Sequence, residues 1–469
     1  MGDDGYIWLI IACVIVETVL TVFVLVRNAM YRHDKRLLDN YVPEHDELTG
    51  LYNAQHLYSI IEETMVEAKK LYCVIYMDIR NFKITNDIFG MKFGDKVLVE
   101  IAKWLSDTFI DDDIVCGRLN GDTFGIFMPY SKFNADVFIE GLSNFEVTYN
   151  GTPHQIIIHA GVYVIADPKM DAAAMFDRAH MALSTILNNY KTSVQIYDES
   201  LRCSLLEEQL LISGLQTALA ENQIHPYLQP IMDVNGTIVG AEALARWDHP
   251  ELGYLPPAKF IPAFEKNGSI IEVDRHIWEE ACRILNTWKQ KYPHLFISIN
   301  ISSKDFYFMD VVSEIKYLVD KYEIKASQLR IEITETAMMA NPDERIEIFE
   351  TFRKAGFVVE MDDFGSGFSS LNMLKDVPVD VLKLDMNFLS TEENSKAVVI
   401  MKNVITMSNE LNITSLTEGV ETENQFEKLV SMGCSLFQGF LFAKPMPLNE
   451  FEEFLKKKTT STIVKRENK

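Results

Sequence analysis

The residues best suited to chemistry lie in Glu360-Met-Asp-Asp-Phe-Gly-Ser-Gly-Phe-Ser-Ser370. The apolar run Gly356-Phe-Val-Val-Glu-Met361 reads as a strand that ends on Asp362 and Asp363, and Gly365 and Gly367 permit a sharp loop after it. Successive strand residues point to opposite faces, so the two aspartates cannot both belong to a core. At a strand end opening into a loop they can converge on one cation, or on two a few ångströms apart. The chemistry would be metal-assisted hydrolysis. An isolated Asp-Asp-x-Gly is more often a solvated turn than a metal site, so the motif needs support from elsewhere.

That support is repetition. Leu295 to Ile299 ends on Asn300; Leu329 to Ile331 leads into Glu332 and Glu335; Val381-Leu382 precedes Lys383 and Asp385; Ile413 to Thr417 precedes Glu418 and Glu421. Between these short β-rich runs lie amphipathic stretches of helical length, Val311 to Tyr322, Asp343 to Ala355 and Ala397 to Glu410. Strands alternating with helices predict a parallel sheet. About eight such units close into a barrel with its active site at the strand C-termini, which gathers the scattered carboxylates into one pocket. Lys383 at a strand end invites a Schiff-base role, but surrounding carboxylates favour the charged ammonium and therefore electrostatic or water-orienting work. Carboxylate and amide oxygens suit Mg²⁺ or Mn²⁺, two ions per site, rather than a thiolate-seeking metal.

The 469 residues are enough for two or three domains, and 48% hydrophobic content can fill more than one core. A formal charge of -24 argues against a surface that grips long nucleic acid through many phosphates, but not against a small phosphorylated ligand held by metal. The six cysteines form no CxxC pair and read as free thiols of a reducing compartment.

Tyr6 to Val26 is almost continuously apolar, with Glu17 as its only charge, and is long enough to cross a bilayer. Arg27, Arg32, Lys35 and Arg36 follow it directly. The expectation is an uncleaved anchor over residues 1–27, a juxtamembrane linker over 28–43, and both soluble domains on the cytoplasmic side of the cell membrane.

The first soluble domain opens with Asp46-Glu-Leu-Thr-Gly-Leu-Tyr-Asn53. The strand Tyr72 to Met77 ends in Asp78, and a hairpin surrounds Arg118-Leu-Asn-Gly-Asp-Thr-Phe-Gly-Ile-Phe127 with its turn at Asn120-Gly121. On chemistry alone, Asp78 and Asp122 either hold one Mg²⁺, with Lys83 near a phosphate, or are a structural aspartate and a hairpin tip. Taken together with Phe82-Lys83-x-x-Asn86-Asp87 and Gly94-Asp95, the order and spacing over residues 44–198 resemble the GGDEF domain of diguanylate cyclases, an α/β palm-like fold. The resemblance implies metal carboxylates at Asp78 and Asp122, guanine contacts from Asn86 and Asp95, and a phosphate contact from Lys83. The signature departs, however: Thr123 stands where the second acidic residue is needed, and a neutral hydroxyl cannot replace it. Leu187 occupies the place of a phosphate-binding lysine, and the upstream inhibitory Arg-x-x-Asp falls on Asp111 and Ile114. These departures predict no cyclase activity. They leave either a GTP-binding regulatory domain or a structural dimerisation module.

Leu205, Leu206, Leu210, Leu211, Leu215 and Leu219 form an apolar stripe at helical spacing in the connection, the mark of a core face or a dimer seam. The second domain, residues 199–456, resembles the EAL family of cyclic dinucleotide phosphodiesterases, with Glu242-Ala-Leu244 present and followed by Ala245-Arg246-Trp247. That resemblance implies a TIM-like (β/α)8 barrel with metal ligands at Glu242, Asn300, Glu332, Asp362, Asp363 and Glu418, and Lys383 beside the attacking water. It also implies that Glu335 steadies the Asp-Asp-Phe-Gly-Ser-Gly loop, and that Gln229, Arg246, Asp385, Glu421 and Gln438 contact substrate or support the site. Residues 457–469 read as a disordered basic tail. The expectation for the whole is a membrane-anchored homodimer that hydrolyses cyclic di-GMP to linear pGpG. The rivals are a cyclic di-GMP receptor that does not cleave and a bifunctional enzyme.

Overall fold

The computed structural model describes residues 44–187, 192–339, 341–364, 375, 377–385 and 395–467. The chain divides into two compact units between Leu206 and Glu207.

The first unit is a six-stranded sheet. Its strands are β1 (Tyr52–Asn53), β2 (Tyr72–Ile79), β3 (Val115–Asn120), β4 (Thr123–Pro129), β7 (Ile158–Val164) and β8 (Val194–Ile196), in the order β1-β3-β4-β2-β7-β8. A separate hairpin pairs β5 (Glu146–Tyr149) with β6 (Thr152–Gln155). The central strand β2 is buried on both faces and runs antiparallel to β4 and β7. Its alternate residues Cys73, Ile75, Met77 and Ile79 join the core with Phe93, Val97 and Ile101 of the helix Met91–Thr108. Tyr72 and Val74 face the helices Ala54–Val66 and Ala172–Ser184, whose Leu57, Ile61, Met175 and Phe176 complete the other core. The hairpin loop is Gly121-Asp122, one residue later than expected, and Gly121 takes the left-handed region (φ 53°).

The second unit is a closed eight-stranded barrel. It comprises β9 (Ile224–Asp233), β10 (Ile238–His249), β12 (Phe296–Asn300), β13 (Leu329–Thr334), β14 (Val358–Asp362), β15 (Val381–Asp385), β16 (Thr414–Glu418) and β17 (Leu436–Phe437), with β11 (Gly253–Leu255) added outside β10. Here the structure departs from eight uniform βα repeats. β9 is antiparallel to both β10 and β17. Only residues 234–237 join it to β10, too few for a crossover helix, so the barrel starts with a hairpin. The strands from β10 and β12 onward are parallel.

Alternation divides the strand residues between the outer helices and the interior. Ile297, Ile299, Ile331, Ile333, Val359 and Met361 pack against the helices, among Trp278, Trp288, Phe349 and Phe352. Ile231, Phe296, Val381 and Leu416 form a separate apolar cluster that plugs the lower interior. Above it lies a polar layer: Glu360, fully buried, accepts from Arg330 Nη1 and from Ser298 Oγ, both at 2.8 Å. The Arg330 guanidinium also lies 3.3 Å from the Phe296 ring centroid. The reactive-type side chains stand one step higher, at the strand C-termini.

Two expectations change. Among the described residues no helix is long and apolar enough to cross a membrane, which overturns the membrane-anchored cytoplasmic localisation; the Tyr6 to Val26 stretch lies outside the described residues. The basic tail is not a disordered coil: the helix Leu448–Glu467 runs through it, unbroken by glycine or proline, with Phe451 and Leu455 buried in the barrel core. The linker stripe lies on the helix Glu199–Ala220, where Leu211, Leu215 and Ala218 are buried in the barrel core while Leu206 and Leu210 stay exposed.

Candidate active site

Strand register brings together residues far apart in sequence. Asn300 on β12 is level with Glu332 on β13, Thr334 with Asp362 on β14, and Asp385 on β15 with Glu418 on β16. The barrel mouth is therefore lined by one ligand-type side chain from each of several consecutive strands.

Lys383 is at its centre, almost fully buried. Its Nζ contacts Glu332 Oε1, lies 2.5 Å from Glu418 Oε1 and 3.4 Å from Glu242 Oε2, and is 3.6 Å from Asp362 Oδ1. Four carboxylates thus share one ammonium. Burial disfavours the Lys383 charge, yet the surrounding carboxylates outweigh it and hold its pKa well above the ordinary lysine value. Burial, followed by the charge of Glu242, pushes Glu332 up, and burial raises Glu418 to about 8. Asp363 is also raised, by burial and then by Asp362 and Asp385, and takes a left-handed backbone (φ 55°).

This arrangement is short of cations. One oxygen from each of Glu242, Glu332 and Glu418 lies within 4.8 Å of the others, and Glu332 Oε2 and Asp362 Oδ1 are buried with no hydrogen-bond partner among the described residues. An all-oxygen donor set with orphaned lone pairs fits a hard divalent cation. The Asn300 amide nitrogen donates to Glu242 Oε1 at 3.1 Å, and Trp278 Nε1 fixes the end of β12 by donating to the Asn300 carbonyl at 2.9 Å.

Gln438 ties the barrel closed above β17. Its Nε2 donates to Glu242 Oε2 at 2.6 Å and to Gln229 Oε1 at 3.0 Å. The adjoining Gly439 lies so close to Val420 that a Cβ would strike its backbone, and Val420 N–H donates to the Gln438 carbonyl at 3.1 Å. Glycine is thereby required where the two loops meet. Arg246 is buried, its guanidinium 5.8 Å from the Tyr227 ring centroid; Nη1 donates to the Ala245 carbonyl and Nε has no partner among the described residues. Glu335 is buried at the start of the short helix Glu335–Met339, directly after β13; the glycine loop it was expected to steady lies outside the described residues. Asp385 is half-buried, and Glu421 is exposed.

A cavity of about 640 Å³ opens beside the carboxylates, lined by Ala243, Ala245, Ile261, Ile277, Asn300 and Tyr307 among others. Asp274 also lines it, in contact with the buried Asp305. Sequence reading missed this pair, and also Arg330 and Glu360. Asp274 sits in a long amphipathic helix, where an aspartate ordinarily faces solvent. The interior position of Arg330 and Glu360 could have been read from their i−2 spacing to Glu332 and Asp362.

In the first unit Asp78 is half-buried at the end of β2 and raised to about 6 by burial and then by Asp122. Thr123 is occupied locally: its hydroxyl donates to the Asn120 carbonyl at 2.7 Å and accepts the Asn120 N–H at 3.1 Å. Lys83 and Asp95 are exposed. Asn86 Oδ1 is buried without a partner among the described residues, in space that only glycine at 94 leaves open. Asp111 is paired with Lys132 at 2.6 Å.

A closed barrel with carboxylates, an amide and a lysine at its strand C-termini is the scaffold of a metal-dependent hydrolase. Comparison with known proteins assigns it. Residues 213–445 match the EAL domain and residues 43–192 the diguanylate cyclase GGDEF domain. The chain belongs to the family of proteins that carry GGDEF and EAL domains in tandem. It is 29% identical, over 87% of its length and 61% of the relative's, to the bifunctional diguanylate cyclase/cyclic di-GMP phosphodiesterase MucR of Pseudomonas aeruginosa. It is 27% identical, over 88% of its length and 63% of the relative's, to the cyclic di-GMP phosphodiesterase PdeR of Escherichia coli. The chain thus spans less than two thirds of these curated relatives. The solved PaMucR phosphodiesterase in complex with c-di-GMP matches at 33% identity and a TM-score of 0.50, covering 52% of this chain and 99% of that one.

Proposed function

We propose that the barrel hydrolyses cyclic di-GMP to linear pGpG with the help of two divalent cations, Mg²⁺ or Mn²⁺. The observation that carries this reading is the convergence of Glu242, Glu332, Asp362 and Glu418 on Lys383 Nζ within 3.6 Å. A pure receptor has no need of so costly a buried cluster. Glu242, Asn300, Glu332, Asp362, Asp363 and Glu418 would hold the cations, which when bound supply Lewis acidity for water activation and phosphoryl neutralisation.

The chain's own residues do the rest. Lys383, kept protonated by its neighbours, orients the attacking water and balances negative charge at the reacting phosphoryl group. Gln438 holds Glu242 in place, and the unpartnered Arg246 Nε offers a donor to the substrate phosphate. Gln229, Asp385 and Glu421 contact or frame the dinucleotide, and Glu335 steadies the loop after Asp363.

The first unit makes no cyclic di-GMP in this reading, because Thr123 leaves only Asp78 and Asp122 as acidic groups. The buried, unpartnered Asn86 Oδ1 beside Gly94 favours GTP as a regulatory ligand of that unit. The exposed Leu206 and Leu210 suit a homodimer seam.

The test is turnover of cyclic di-GMP by the full chain with Mg²⁺ or Mn²⁺, with and without GTP, following pGpG by chromatography. Appearance of pGpG, its loss in Asp362→Asn and its rise with GTP support the reading. Cyclic di-GMP that binds but stays intact under every metal condition makes the protein a receptor instead.

A further inference from the structure

The carboxylates at the barrel mouth stand on a floor of two unlike halves. Ser298 on β12, Arg330 on β13 and Glu360 on β14 each lie two residues before a proposed cation ligand, Asn300, Glu332 and Asp362 respectively, and so on the same inward face of the same strand. Glu360 is fully buried and engages both of the others: Arg330 Nη1 donates to its Oε1 and Ser298 Oγ to its Oε2, each at 2.8 Å. One carboxylate thus fastens three consecutive strands directly beneath the ligands that those strands carry. Glu242 on β10 follows Gly240 at the same spacing. A Cβ at 240 would meet the Phe296 ring at 2.6 Å, so glycine lets that ring lie against β10, and the Arg330 guanidinium sits over the ring, 3.3 Å from its centroid.

The other half of the floor is apolar. Val381 and Leu416 lie two residues before Lys383 and Glu418 and belong to the cluster that plugs the lower interior. Apolar side chains therefore serve at this depth, and a buried ion pair offers no more stability than they do, because desolvation of the two charges offsets their attraction. What the pair adds is direction: charge-assisted hydrogen bonds hold their partners at one distance and angle. The ladder of the sheet fixes register, but the aim of a side chain also follows the local twist of its strand. A bond made from the same face two residues earlier restrains that twist.

We propose that Glu360 is a positioning residue of the cation site: held by Arg330 and Ser298, it locks β12, β13 and β14 together so that Asn300, Glu332 and Asp362 keep the spacing a divalent cation requires. The proposal rests on the reading of the barrel as a metal-dependent hydrolase given above.

The experiment compares the full-length wild type with Arg330→Met/Glu360→Leu, which removes no net charge and fills the space with apolar side chains. Such a replacement is expected to leave stability unchanged or raised, which thermal unfolding in chelator checks. Titration calorimetry with Mn²⁺, in the absence of substrate, reads the Kd, and electron paramagnetic resonance of the bound ion reads its surroundings. The expected result is a Kd raised about 10–100-fold, the usual effect of removing a residue that orients a metal ligand, together with an altered spectrum. Phe349→Leu, packed against the outside of the barrel strands, is expected to lower the Tm and leave both readouts as in wild type. A folded double variant with the Kd and spectrum of wild type overturns the proposal and leaves the hydrolase reading intact. Where the double variant does not fold, Ser298→Ala takes its place, since it keeps both charges and removes one hydrogen bond: a raised Kd supports the proposal and an unchanged one overturns it. A wild type that binds no Mn²⁺ overturns the metal reading of the barrel, and the proposal with it.

Discussion

Lys383 on β15 makes an ion pair with Glu332 on β13, reaching past the intervening strand β14, and a second pair at 2.5 Å with Glu418 on β16. The lysine therefore spans the mouth of the barrel. Among the described residues it is the one positive charge that contacts Glu242, Glu332, Asp362 and Glu418. Lys383→Met is expected to strand buried carboxylates and cost the metal-free barrel about 3–5 kcal/mol, the usual penalty for removing one partner of a buried pair. Urea unfolding in the presence of chelator measures this. With Mg²⁺ present the variant should regain stability but turn over cyclic di-GMP at least about a hundredfold more slowly, as when a preorganised charge is removed.

Metal binding should stabilise the native barrel by mass action, because the orphaned oxygens of Glu332 and Asp362 are gathered only in the folded state. At a free ion concentration about 100 times the Kd the gain is about 2.7 kcal/mol. Differential scanning calorimetry should show a higher Tm with Mn²⁺ or Mg²⁺ and reversal by chelator. Glu332→Gln, which removes a carboxylate from the triad with Glu242 and Glu418, should abolish most of the shift. An unchanged Tm in wild type would count against a metal site here.

The ligand-type residues were legible because each stands at or near the end of a β-rich run, and parallel register then puts Asn300 level with Glu332 and Asp385 level with Glu418 without further information. The reversed β9 was not legible. A ten-residue strand reads alike in either direction, and only the four residues that follow it exclude a crossover. Asp274 was hidden for a different reason: a lone helical aspartate ordinarily faces solvent, and only the packing of its helix against the barrel places it on the wall of a cavity. The Lys456 to Glu467 segment failed in the opposite sense, since its polarity suggested coil while the buried Phe451 and Leu455 anchor a helix that continues through it.

In the first unit Arg118 clamps the hairpin. Its Nη1 lies 3.0 Å from Asp46 Oδ1, and its Nε and Nη2 donate to the Gly121 carbonyl at 3.0 and 2.6 Å. Burial pushes the Asp46 carboxyl up, but the hydrogen bonds from Thr49 and Arg118 outweigh it and hold it below the ordinary 3.8. A depressed folded value contributes stability that is complete above pH 3.8 and disappears as pH falls through the folded value. Arg118→Ala should therefore cost about 1–2 kcal/mol at pH 6 and show a shallower loss of stability below pH 4 than wild type. Urea titrations at pH 6, 4 and 3 read both effects; parallel curves for the two proteins would dissociate the clamp from the acid response.

Asp362 separates stability from activity. Among the described residues its Oδ1 has no hydrogen-bond donor; it is buried 3.6 Å from the ammonium of Lys383, which Glu332 and Glu418 already engage more closely. In the absence of metal this carboxylate is surplus charge beside Asp363 and Glu418, both of which it pushes up. Asp362→Asn keeps the shape and removes the charge, so the metal-free barrel should be as stable as wild type or more so, by up to about 1 kcal/mol. The same variant lacks a proposed metal carboxylate, and hydrolysis should fall by about 10²–10⁴-fold. Melting in chelator and pGpG formation in Mg²⁺, measured on one preparation, test the pair of outcomes. A variant that loses activity only because it unfolds would show a lower metal-free Tm, and that result would make Asp362 a structural residue instead.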